Sequence, residues 1–116
     1  MAFTIKRIYE KPEKEDGYRI LVDRIWPRGI RKEDAKLDEW FKEIAPSTEL
    51  RKWFDHKEER FQEFSKKYQT ELKSHKELIH EILEKAKDKK VTLLYGAKDE
   101  KHNQAVVLQA FLEKQL

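Results

Sequence analysis

Two apolar, β-prone runs flank a long helical middle, and that placement constrains the fold more than any other feature of the chain. Tyr18 to Trp26 contains Ile20-Leu21-Val22, an uninterrupted stretch of the kind buried on both faces of a sheet, and Val91 to Tyr95 is a second such run, ended by Gly96. A shorter run with Phe3, Ile5 and Ile8 opens the sequence. Between the flanking runs the spacing turns helical. Leu37, Trp40, Phe41 and Ile44 lie at i, i+3, i+4 and i+7, and Leu50, Trp53 and Phe54 resume the stripe after Ala45-Pro46-Ser47. Asp55 with Glu58 has capping-box spacing for a helix burying Phe61, Phe64, Tyr68 and Leu72; Ser74 with Glu77 has it for one burying Leu78, Ile79, Ile82 and Leu83. Asp99 is placed to cap a final helix with Ala105, Leu108, Phe111 and Leu112 inward. Strand, strand, helices, strand, helix predicts the α/β class, one layer of sheet covered by helices.

A chain of 116 residues suits a single domain over 1–116, because two separate cores would be marginal at this size. Only about eight residues separate the first two strands, fewer than the dozen or so of a usual parallel crossover, so spacing alone favours a hairpin and leaves the strand direction open. Cysteine is absent, which excludes disulfides, thiolate zinc sites and cysteine nucleophiles. No apolar run approaches the roughly 20 residues of a membrane span. The start, Met1 to Lys6, lacks the basic-then-apolar layout of a signal peptide, so a soluble cytoplasmic protein is expected. There are 26 basic and 23 acidic residues, a formal charge of +3. The surplus is small and contains no block of five like charges; it permits nucleic-acid binding without requiring it.

Open α/β sheets bind ligands beyond the carboxyl ends of their strands. Those ends carry Asp23, Arg24, Trp26, Pro27, Arg28 and Gly29 after the second strand, and Tyr95, Gly96, Lys98, Asp99, His102 and Asn103 after the third. Arg24 and Arg28 each present a planar fork of donors that matches a phosphate or carboxylate, and Trp26 can stack on a ring. The alternative is that Arg24 pairs with Asp23 or a helix carboxylate while Trp26 fills the core. Asp23 is either a buried partner of an arginine or an acid/base group with a shifted pKa. Gly96 permits close backbone approach, and His102 can transfer a proton with Asn103 orienting it; the plainer reading is caps and a solvated histidine.

Arg51, Trp53 and His56 form a lesser cluster at a helix junction, with Trp53 and Phe54 expected in the core. Ser47 lacks a nucleophile elbow and is better explained as a helix cap. Metal binding is not expected. His75 and His80 are five apart, on different helix faces, and His56 and His102 meet only through folding.

The stretch Asp16-Gly17-Tyr18-Arg19-Ile20-Leu21-Val22-Asp23-Arg24-Ile25-Trp26-Pro27-Arg28-Gly29 resembles the signature of domain-of-unknown-function family 488, in its short YeaO-like branch. The likeness continues through Ala45 to Phe54 with His56, and through Thr92 to Asp99 with His102-Asn103. One departure is Asp55, where the family usually has glycine between the Phe and the His. The resemblance implies a compact domain with a small, mainly parallel sheet of about three or four strands, and no particular activity. Its motifs imply a site of Asp23, Arg24, Trp26, Arg28, Trp53, His56, Tyr95, Lys98, His102 and Asn103.

The expected function is a pocket for an anion, a phosphorylated or nucleotide-like small molecule. Arg24 and Arg28 would hold the anion, Trp26 and Tyr95 would contact a ring, and His102 and Asp23 would supply acid/base chemistry if there is a reaction. The rivals are a nucleic-acid-binding module and a protein-interaction domain with a tryptophan-lined groove.

Overall fold

The computed structural model describes residues 2–116; Met1 lies outside the described residues. Strands β1 (Phe3–Arg7), β2 (Tyr18–Leu21), β3 (Glu39–Trp40) and β4 (Val91–Tyr95) form one sheet in the order β1-β4-β2-β3, and every pairing is parallel. Helices α1 (Lys32–Ala35), α2 (Thr48–Phe54), α3 (Phe61–Lys73), α4 (Lys76–Asp88) and α5 (Gln104–Lys114) complete the fold. β4 is central and buried at every position, as its mostly apolar sequence favours, with the Thr92 hydroxyl satisfied by the Asp16 carbonyl.

Alternation along the strands divides the core. Phe3, Ile20, Val22, Val91, Leu93 and Tyr95 face the main cluster with α2 to α5, whereas Leu21 and Leu94 join Ile8, Ala35, Trp26, Ile30, Leu37 and Trp40 on the other side. α5 lies against β1 and β4, and α3 packs on both α5 and α2. No helix among the described residues is long and apolar enough to cross a membrane.

β1 and β2 do not form a hairpin. Both run parallel to β4, one on each side of it. The link over residues 8–17 returns about 16 Å along the sheet and crosses two strand spacings, about 10 Å, well within the roughly 33 Å that ten extended residues reach. It is fastened by a polar network. Asp16 accepts from Lys6 at 3.0 Å and from Arg19 at 2.5 Å, and Thr92 donates its hydroxyl to the Asp16 carbonyl at 2.6 Å. Arg19, itself buried, also donates to the carbonyls of Ala35 and Lys36. Gly17 then enters β2 at φ +68, where an added Cβ would sit 2.4 Å from the Lys90 carbonyl oxygen.

The helix expected over Leu37–Ile44 is instead the short strand β3 followed by a 3-10 turn at Lys42–Ile44. Its apolar residues do not share a face: Leu37 and Trp40 enter the second cluster, Phe41 and Ile44 the main one. Adjacent residues on opposite sides of a sheet are the mark of a strand. The capping expectations also shift. Asp55 ends α2 in the left-handed region (φ 48) and does not open α3, which begins at Phe61 after a 3-10 turn at Glu58–Arg60. Ser74 closes α3. Asn103, not Asp99, caps α5, accepting the Val106 N–H at 3.1 Å. Ser47 is a cap as expected: its Oγ accepts from Leu50 at 3.2 Å and donates to Glu71 at 2.6 Å.

Candidate functional site

β2 and β4 end side by side, and the chain leaves both as irregular loops. Beyond these ends lies a cavity of about 640 Å³, closed on its far side by the start of the Ala45-Pro46-Ser47 corner and α2. Phe54 and Phe64, stacked with centroids 4.2 Å apart, supply its apolar wall. Tyr9, Ile25 and Pro27 border it from the β1 and β2 loops.

Asp23 sits at its base. One carboxylate oxygen accepts the Gly96 N–H at 2.9 Å, and the other accepts the side-chain amide of Gln104. Burial pushes this carboxyl up to about 6, against the opposing pull of those two donors and of the Arg51 charge. Gly96 is needed for this contact, since a Cβ there would stand 2.9 Å from the same oxygen.

Arg24 forms neither of the ion pairs anticipated for it. Its Nε and Nη2 donate to the carbonyls of Pro46 and Ala45, both at 3.0 Å, so it braces the corner before α2. Arg51, on the last turn of α2, and Lys98, in the loop after β4, line the cavity, and neither has a carboxylate within salt-bridge distance among the described residues. His56 lines it at φ 55, directly after Asp55 at φ 48. Two successive non-glycine residues in the left-handed region store strain where the chain turns back toward the cavity.

His102 is held between carboxylates. Its Nδ1 lies 2.9 Å from Asp99, its Nε2 3.6 Å from Glu58, and its ring meets Phe61 edge-on at 5.2 Å. Asp99 is held below the usual carboxylate range, first by the Lys101 backbone N–H and further by His102, with slight burial opposing them. One ligating atom from each of Glu58, Asp99 and His102 falls within 4.8 Å of the others, so among the described residues these three could hold a cation. Glu58 and Asp99 are exposed, however, and Asp99 is occupied in orienting the imidazole.

A family model described as the inactive DUF488-N3 subclade matches residues 2–116. The chain belongs to this DUF488 family. It is also similar to the uncharacterized protein YeaO of Escherichia coli (strain K12), 48% identical over 112 residues that cover 97% of each chain. A shorter likeness, 54% over 68 residues, covers 59% of this chain and 58% of the uncharacterized protein Rv3073c of Mycobacterium tuberculosis (strain ATCC 25618 / H37Rv). No solved structure matches it.

In this DUF488 domain the cavity gathers Asp23, Arg24, His56, Lys98, His102 and Asn103 from the residues that the motifs single out. Four others lie elsewhere. Trp26 packs edge-on against Trp40 at 5.3 Å in the second cluster and donates to the Ile30 carbonyl, filling the opposite side of the sheet. Anchoring Trp26 there carries Arg28 out to solvent, where its carbonyl accepts the Tyr9 hydroxyl at 2.8 Å. Trp53 lies under Lys67 and Arg60 at the edge of the main cluster, and Tyr95 is buried within it. Gln104 is the residue the sequence reading missed. A polar side chain between the cap Asn103 and the first inward residue, Ala105, was the only sign of it.

Proposed function

We propose that this DUF488 protein is a binding domain for a small phosphorylated molecule, captured at the ends of β2 and β4 without being turned over. The observation that carries the reading is the pair of cations Arg51 and Lys98, contributed by separate elements to one cavity and left without carboxylate partners among the described residues. A guanidinium, which can bind bidentately, and an ammonium lining one space suit a phosphoryl group. The volume is within the range of small-molecule sites, about 300–1,000 Å³. Binding without chemistry fits the description of the subclade as inactive. It also fits the lining, which has no serine, threonine or cysteine, and a single phenol, Tyr9, already bonded to a carbonyl.

A thermal-shift screen of phosphate-bearing compounds, from inorganic phosphate to sugar phosphates and nucleotides, tests this reading. Stabilisation that Arg51→Ala abolishes and Arg28→Ala leaves intact is the expected result. No stabilisation by any of them refutes it.

A further inference from the structure

The base of the cavity carries a feature that an anion does not explain. Asp23 forms no salt bridge among the described residues; its carboxylate accepts the N–H groups of Gly96 and Gln104 and feels the Arg51 charge only at longer range. Each carboxylate oxygen keeps lone-pair capacity beyond the single donor it receives. Gln104 spends its amide N–H on Asp23, and its Oε1 accepts from nothing among the described residues. A phosphate set directly against the Asp23 carboxylate and the Gln104 Oε1 would meet like charge and an acceptor. The cavity thus has two unlike poles: donors at Arg51 and Lys98, acceptors at Asp23 and Gln104, with the Phe54–Phe64 stack and Pro27 forming apolar wall.

Building on the phosphate-binding reading, we infer that the ligand is a nucleoside monophosphate whose base carries an exocyclic amino group, donated to Asp23 and Gln104 while Arg51 and Lys98 hold the phosphate. An amino-substituted ring offers what the acceptor pole lacks, flat N–H donors on an apolar frame. A base that presents only acceptors at this position would leave Asp23 facing lone pairs in a partly buried site, which is costly. The selectivity therefore rests on a negative group that rejects the wrong edge as much as on one that holds the right one.

Two matched pairs of probes test this by titration calorimetry on the whole protein: adenosine 5′-monophosphate against purine riboside 5′-monophosphate, and cytidine 5′-monophosphate against its 4-deamino analogue. Inorganic phosphate is run alongside. Loss of one hydrogen bond to a charged acceptor predicts about tenfold weaker binding of the analogue in at least one pair. In that pair, Asp23→Asn and Gln104→Met should erase the difference while phosphate binding persists. Equal affinities within both pairs overturn the inference and leave the phosphate reading standing. Failure of every phosphate-bearing probe, inorganic phosphate included, overturns the reading beneath it. The comparison within each pair uses the unaltered protein, so it holds even if a variant fails to fold.

Discussion

The Asp23 carboxylate accepts the side-chain amide of Gln104, 81 positions further along the chain, and so ties the end of β2 to the first turn of α5. Because burial raises this carboxyl from 3.8 to about 6, the folded protein takes up its proton more readily than the unfolded chain does. Its contribution to stability is therefore greatest below the unfolded value, falls as pH rises to about 6, and is flat above. Asp23→Asn removes this dependence. Relative to the parent protein, the variant should gain about 2 kcal/mol between pH 4 and pH 7, measured by urea unfolding across that range. A constant difference would show that Asp23 titrates as an ordinary surface carboxyl.

Asp16 has the opposite sign. Burial alone would raise it, but the Glu13 N–H, Lys6 and Arg19 together hold it below its usual value. Its contribution is present above the unfolded value and is lost as pH falls through the folded one. Asp16→Ala leaves Arg19 buried without its partner and should cost about 3–5 kcal/mol at neutral pH. The loss should shrink on acidification below about pH 4. Chemical unfolding at pH 7 and pH 3 reads both effects.

Asp55 adopts the left-handed backbone, φ 48 and ψ 39, that glycine tolerates best. Asp55→Gly relieves that strain, offset in part by the freer unfolded chain, and should stabilise the fold by about 0.5–1 kcal/mol. Calorimetric unfolding decides it. A destabilised variant would mean that the Asp55 side chain itself contributes more than the backbone strain costs.

Ser47 and Glu71 hold the corner that Arg24 braces from the cavity side. Glu71 accepts both the Ser47 N–H at 2.9 Å and its hydroxyl at 2.6 Å. Ser47→Ala removes the α2 cap and that hydroxyl bond, and should cost about 1–2 kcal/mol in denaturant unfolding.

The parts of this structure that were legible in the sequence are those whose residues answer to one local rule. Val91 to Tyr95 is apolar but for Thr92 and is buried at every position; α3 and α4 follow a single helical stripe each. Leu37 to Ile44 satisfied helical spacing by coincidence, because its apolar residues serve two different clusters, which only tertiary packing reveals. The hairpin spacing misled for a similar reason: the β1–β2 link is short yet crosses β4, and the bonds that tie it to β4, from Thr92 to the Asp16 carbonyl and from the Tyr18 N–H to the Lys90 carbonyl, join residues far apart in the sequence. At the site, strand ends pointed to Asp23, Lys98 and His102. They could not show that Trp26 turns to the other side of the sheet, taking Arg28 with it, or that Arg51 arrives from α2 in its place.

Amide chemical-shift mapping of the isotope-labelled protein locates directly where a phosphorylated ligand touches the chain. During titration with adenosine 5′-monophosphate, the largest shifts should fall on Gly96, Lys98, Gln104 and the α2 residues around Arg51. Shifts centred instead on the outer faces of α3 and α4, or none at saturating ligand, would contradict that placement.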